Sequence, residues 1–307
     1  MRRDRIDALA ASTLIVFNVL LGLNQALVKL VNAGFAPVFQ SGLRSACAFL
    51  PVLGFAWLTG RRLSLRDGTL GLGLLNGLLF SGEFCLLFLA LDHTTVARVS
   101  LFFYTMPIWV TLGAHLLVPG ERLTLTRALG LALAVIGVAL ALSGRSQAAG
   151  SDAWLGDALA LLAAMFWAAI ALLTRTTRLA TCSPEMNLLY QLAVSAVVLL
   201  LVAPLFGATV REVTPVIAGI FAFQVIVIVA IGFVVWFWIL SVYPVSHMAS
   251  FSLLAPVFGV LFGWLIFDDP IPPQFVAALL LVGSGILLVN RPRRGVTQTG
   301  SGNTAEP

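Results

Sequence analysis

About ten runs of mostly apolar residues account for nearly all of this sequence, each close to the ~20 residues an α-helix needs to cross a hydrocarbon core. They cover residues 9–30, 36–59, 68–91, 95–118, 127–143, 154–174, 186–206, 215–241, 245–267 and 271–290. With 60% of its 307 residues hydrophobic, 10% charged and a mean hydropathy of +1.01, the chain has too little polar surface to clothe a soluble fold. In lipid every backbone N–H and C=O must be satisfied within the protein, which leaves helices for runs of this length. The expected fold is all-α: a polytopic membrane protein of about ten transmembrane helices. The connections, mostly under ~12 residues, leave no room for a soluble domain.

Basic residues form short clusters between the runs rather than one stripe, so the net charge of +5 reports topology and not nucleic-acid binding. Ten spans place both termini on one side. That side gathers Arg2, Arg3, Arg5, Arg61, Arg62, Arg66, Arg122, Arg127, Arg175, Arg178, Arg291, Arg293 and Arg294, against Lys29, Arg98, Arg145 and Arg211 on the other. Cytoplasmic loops carry the excess of Lys and Arg, so both termini are expected in the cytoplasm. Arg2-Arg3-Asp4-Arg5 before an apolar run imitates a signal peptide, but the run is long, contains Asn18, Asn24, Gln25 and Lys29, and has a later counterpart. It is expected to be retained. Cys47, Cys85 and Cys182 have neither metal-ligand spacing nor the count for a disulfide framework.

The second half repeats the first. Val19 to Lys29 aligns with Met165 to Arg175, Arg44 with Gln191, Phe102 to Pro107 with Phe251 to Pro256, Gly120-Glu121 with Asp268-Asp269, and Ile136-Gly137 with Ser284-Gly285. Each copy holds five spans, an odd number, so the two insert in opposite orientations. The expected organisation is two inverted five-helix repeats, 9–143 and 154–290, joined by a linker at 144–153 and flanked by a short tail, 1–8, and a disordered polar tail, 291–307. Inverted repeats of this kind are typical of secondary transporters, with the substrate near the midplane and alternating access by rocking one half on the other.

Ionisable and amide residues inside the runs are the candidate site. A charge at the bilayer centre costs at least ~2.5–3.5 kcal/mol on insertion scales, so a retained one faces a partner or a water-filled cavity. Asn18, Gly22, Gln25 and Lys29 share a helix face, as do Gly73, Asn76, Phe80 and Glu83, and Tyr104, Thr111 and His115. Such stripes line a cavity, or they serve as interhelical hydrogen-bond glue. At 1.5 Å per residue Arg44 and Glu83 both lie about 12 Å from the outer surface, where they can meet, as a static ion pair or as part of a transport cycle. Tyr104 falls at a similar depth. Phe102, Phe103, Trp236, Trp238, Phe251 and Phe258 are candidate walls. The substrate-binding or coupling candidates are thus Asn18, Gln25, Arg44, Asn76, Glu83, Tyr104, Gln191 and Trp238. Pro107 and Pro256, at matched places, are candidate hinges, because proline kinks a span.

Several stretches carry a family resemblance: Pro107 leading to Gly120-Glu121-Arg122-Leu123, Gly130 to Gly137, and in the second copy Ala255-Pro256-Val257-Phe258, Asp268-Asp269 and Val282-Gly283-Ser284-Gly285. With the paired five-span halves, the chain resembles the drug/metabolite transporter superfamily, EamA-type, from about Ala8 to Asn290. Gly82-Glu83-Phe84 followed by Tyr104-Thr105-Met106-Pro107 is similar to a bacterial branch of it, and Asp268-Asp269 departs from the Gly-Glu usual there. The resemblance implies a multi-pass protein of the bacterial inner membrane that exports or exchanges amino acids or other small metabolites, with no cofactor and no metal. Its partners would be a small solute and the lipid bilayer. The oligomeric state stays open. An exporter of hydrophobic amines or drugs is the alternative within transport. A lipid-substrate membrane enzyme lacks a phosphate-cradling loop, a clustered metal site or a nucleophile elbow here, and a sensor or scaffold would not need paired inverted halves.

Overall fold

The computed structural model describes residues 8–61, 63–119, 121, 123–143, 152–232, 234–235 and 253–290. The described residues form α1 (Ala8–Val31), α2 (Pro37–Leu58), α3 (Leu70–His93), α4 (Val96–Phe103), α5 (Met106–Leu117), α6 (Leu125–Ser143), α7 (Ala153–Thr176), α8 (Pro184–Val202), α9 (Pro215–Phe223), α10 (Leu254–Phe267) and α11 (Pro273–Val289). α4 and α5 share one span, Val96–Leu117, and α9 runs on into a π-helical stretch, Gln224–Ile231. Among the described residues seven helical segments are long and apolar enough to cross a membrane, and Pro215–Ile231, Leu254–Phe267 and Pro273–Val289 are shorter apolar helices. These are the ten segments expected.

The helix starts follow local chemistry. Pro37, Pro184, Pro215 and Pro273 open α2, α8, α9 and α11, where a missing N–H forfeits no intrahelical bond. The hydroxyls of Thr95, Ser183 and Thr214 accept from the N–H groups of Arg98, Met186 and Ile217 at 3.2, 3.2 and 3.3 Å, capping α4, α8 and α9. Side-chain burial is the reverse of a soluble protein's. Trp57, Leu125 and Leu205 stand 78%, 78% and 82% exposed, whereas Gln40, Asn76 and Gln224 are wholly buried. Lipid is the solvent for the first set, and the bundle interior holds the second.

The main helix contacts run between the two copies. α6 packs on α11, α2 on α8 and α4 on α10, each with its own counterpart; α3 on α7 and α1 on the α9 segment form a swapped pair, as do α4–α5 on α7 and α1 on α10. This is the contact pattern of a pseudo-twofold axis, and the α6–α11 crossing shows it at atomic scale. A Cβ on Gly130 would lie 2.7 Å from the Gly285 carbonyl oxygen, and one on Gly137 would lie 2.9 Å from that of Ala278. Gly137 and Gly285 are equivalent in the repeat, as are Gly130 and Ala278, so the two close approaches are one contact seen twice. Small residues let the backbones approach this closely.

The two proline candidates both lie in the first turn of a helix. The chain breaks helix at Tyr104 and Thr105, and Pro107 follows in the first turn of α5. Pro256 lies in the first turn of α10 and is buried. Pro51, by contrast, sits inside an uninterrupted α2.

Candidate functional site

The polar stripe of α1 faces the interior but is largely occupied by neighbouring helices. Asn18 is buried and donates to its own Leu14 carbonyl at 2.7 Å. Gly22 lies against Phe258 and Gly259 of α10, where a Cβ would come within 2.6 Å. Gln25 accepts from the Ser100 hydroxyl at 2.7 Å and lies beside the Tyr104 hydroxyl, binding α1 to α4. Lys29 donates to the Thr94 carbonyl at 2.5 Å, 5.6 Å from the Phe267 ring centre. Gln25 and Lys29 of this stripe thus bond to neighbouring segments, while the Asn18 bond stays within α1. Thr111 and His115 also turn aside: Thr111 donates to the Pro107 carbonyl at 2.9 Å, and His115 is exposed near Glu121 and Leu123.

Arg44 and Glu83 are brought near one another but do not pair. Both are buried, 6% and 4% exposed, and each feels the other's charge. The Arg44 guanidinium lies over the rings of Phe84 and Phe88, 4.7 and 4.9 Å from their centres. Among the described residues neither side chain has an ion-pair or hydrogen-bond partner. The expected direct meeting is replaced by a cation held on aromatic faces, with the carboxylate one residue along the same helix. Phe80, Phe84 and Phe88 form a continuous row, with centres 4.3 and 5.9 Å apart. Tyr104 packs edge-on to Phe103 and Trp167, and Phe103 stacks on Trp167 at 4.9 Å. Asn76, between Gly73 and Gly77 where α3 meets Tyr190 and Val194 of α8, is wholly buried with both amide atoms unpartnered among the described residues. Gln191 is half-buried on α8. Trp238, like Trp236 and Phe251, lies outside the described residues.

Two sets of buried polar groups escaped the sequence reading. Arg98, counted above only as a charge of one membrane side, and Asp157 are 7% and 1% exposed; the Arg98 Nε and Nη2 donate to the two Asp157 oxygens at 2.9 and 2.5 Å, tying α4 to α7. Thr94 adds a bond to Asp157 at 3.3 Å. The second set is Gln40, Ser41 and Gln224, all 0% exposed, whose side-chain polar atoms have no partner among the described residues. For Gln224 the available signal was a lone amide in the apolar run Phe221–Ile231, and for Gln40 and Ser41 it was their place one turn before Arg44.

Charges also fasten the two ends of the bundle. At one end Arg211 pairs with Asp92 at 2.8 Å and reaches the Asn32 carbonyl; the Asp92 hydrogen bonds push its guanidinium above the usual range. There too an Asp269 oxygen accepts from the Ala97 N–H at 3.0 Å, capping α4. Burial holds Asp269 above the ordinary carboxylate range, against the pull of that bond and of Lys29. At the opposite end Arg175 pairs with Glu121, and Arg61 with buried Glu185 at 3.1 Å. Lys29 and Arg175 are equivalent in the repeat, and so are Asp269 and Glu121. The same charge pattern thus recurs at both ends.

An inverted-repeat helical bundle with a lipid-facing apolar surface and a polar interior is a multi-pass membrane transporter fold. Residues 8–143 and 154–291 each match the EamA-like transporter family, and the chain belongs to that family. It is 25% identical over 254 residues to the uncharacterized transporter YoaV of Bacillus subtilis (strain 168), covering 82% of this chain and 86% of that one. It is 28% identical over 273 residues to a probable amino-acid metabolite efflux pump of Escherichia coli (strain K12), covering 86% and 89%. A solved crystal structure superposes with a TM-score of 0.64 at 21% identity, over 91% of this chain and 96% of that one, which shows a shared fold.

Proposed function

We propose that the protein is a secondary transporter of the bacterial inner membrane that exports or exchanges small charged metabolites, amino acids foremost. The observation that carries this reading is Arg44 and Glu83, opposite charges buried in the bundle with no ion-pair or hydrogen-bond partner among the described residues. A buried charge is strongly disfavoured unless something compensates it, and a zwitterion carries the two complementary charges. The E. coli relative's name points the same way. In this reading the repeats, 9–143 and 154–290, rock about the pseudo-twofold axis to expose the site to each side in turn, with both termini in the cytoplasm. Asn76 and Gln191 contribute from the half of the bundle nearer the termini, Tyr104 from its wall, Asn18 and Gln25 from α1, and Pro107 and Pro256 at the helix ends that move.

Proteoliposomes screened by mass spectrometry with a pooled metabolite mixture, with and without a pH gradient, test it. Wild type is expected to move a zwitterion, and Glu83→Gln to slow it by at least about tenfold while staying folded. Folded wild type that moves no solute under any gradient overturns the transport reading. Selective movement of hydrophobic amines moves the assignment to the drug-export alternative.

A further inference from the structure

We propose that Gln40, Ser41 and Arg44 of α2, together with Gln224 of the π-helical stretch, form a subsite for the carboxylate of an α-amino acid. The proposal deepens the transport reading above and rests on it.

Gln40, Ser41 and Arg44 stand at positions i, i+1 and i+4 of one helix and so share a face. Gln224 is carried to the same level. The π-helical stretch packs on α2, and two contacts bracket the register. Phe221 and Phe39 flank the Phe35 ring, with centres 5.6 and 6.1 Å away, and Val229 shares an apolar cluster with Ala48 and Val52. Gln224 lies between Phe221 and Val229, as Gln40, Ser41 and Arg44 lie between Phe39 and Ala48.

These groups have nothing to bind within the described protein. Both amide atoms of Gln40 and of Gln224 and the Ser41 hydroxyl are unpartnered among the described residues. Because nitrogen and oxygen of each amide are both free, the conclusion does not depend on which way the amide is turned. Leaving a buried polar group unsatisfied costs about 1–3 kcal/mol, so several near one level carry a hydrogen-bonding capacity that a bound polar group would fill. The set offers a guanidinium fork, two amide N–H₂ groups and a hydroxyl, which suits a carboxylate. Glu83 and the amide oxygens supply acceptors for the ammonium group bonded to the same carbon.

The repeat explains why the subsite is one-sided. Phe102 and Phe251 are 149 residues apart, and a π-helical stretch accommodates one extra residue. Upstream of it the offset becomes 148, which makes Gln224 the counterpart of Asn76. Both are wholly buried amides with no partner among the described residues. The Asn76 level faces α8, whose Gln191 is the counterpart of Arg44, and so lacks the cation. A carboxylate is therefore held on the Gln224 side and released on the Asn76 side.

The test is the melting temperature of purified full-length protein, read by tryptophan fluorescence, with an equimolar pool of the twenty L-amino acids and with a matched pool of their α-carboxamides. The acid pool is expected to raise it and the amide pool to leave it unchanged. Gln40→Met and Gln224→Met, of similar volume, should need at least about tenfold more of the acid pool for the same shift. Gln224→Glu, isosteric but anionic, should abolish the response. Equal stabilisation by the amides, or a full wild-type response in a folded Met variant or in Gln224→Glu, overturns the subsite. So does a wild type that answers neither pool yet still moves another solute in proteoliposomes, and that outcome leaves the transport reading standing.

Discussion

Arg98 and Arg44 are both arginines buried in the bundle, and they are treated in opposite ways. Arg98 meets Asp157 through two nitrogens, with Thr94 on the same carboxylate and Phe102 5.6 Å below the guanidinium. Among the described residues Arg44 meets the aromatic faces of Phe84 and Phe88, with Glu83 in electrostatic range but out of contact. A buried charge pair is compensated only when its geometry is good and its remaining lone pairs are filled. Arg98 meets that condition inside the protein and acts as a staple between α4 and α7. For Arg44 the protein leaves the condition open. The difference separates a structural ion pair from a site, which the residue types alone do not do.

Breaking the staple should have the largest effect on stability. Asp157→Ala takes the carboxylate away from a buried guanidinium and is expected to cost about 3–5 kcal/mol in denaturant titrations of the purified protein. A loss below ~1 kcal/mol would place Arg98 and Arg44 in one class. Asp269→Ala, which removes the cap on α4, is expected to cost about 0.5–2 kcal/mol. Its pH dependence has a definite sign. Asp269 binds its proton more tightly folded than unfolded, so its contribution is full below about 3.8 and is lost as pH rises through the raised folded value. The alanine variant should lack that acid-side slope, and a parallel pH profile would remove Asp269 as its source. Glu121→Gln should have the smallest effect, below ~1 kcal/mol, because Arg175 is 56% exposed. A larger loss would show that the repeated charge pattern at the two ends is more than a surface pairing.

Much of this was legible in the sequence, and the legible part has a common cause. Lipid-length apolar runs, inverted repetition and the family follow from composition and order, which a bilayer turns directly into helices. Glu83 and Arg44 stood out because charge is rare in such runs. Gln40, Ser41 and Gln224 did not, since a neutral polar side chain in a span is ordinary glue until its neighbours are known. The α1 stripe read as a possible cavity wall, and the structure fills it with Ser100, Gly259 and Thr94. Arg98 counted only as a charge of one membrane side because it sits at a helix end, where sequence leaves the boundary open by a residue or two.

By itself the sequence determined that this chain crosses a membrane as paired five-helix halves, because hydrophobic length and repetition are properties of the chain alone. Only the tertiary structure decided which buried polar groups satisfy one another and which are left free. Hydrogen bonding and charge pairing depend on ångström-scale distances between residues far apart in the chain, and those distances are set when the helices pack.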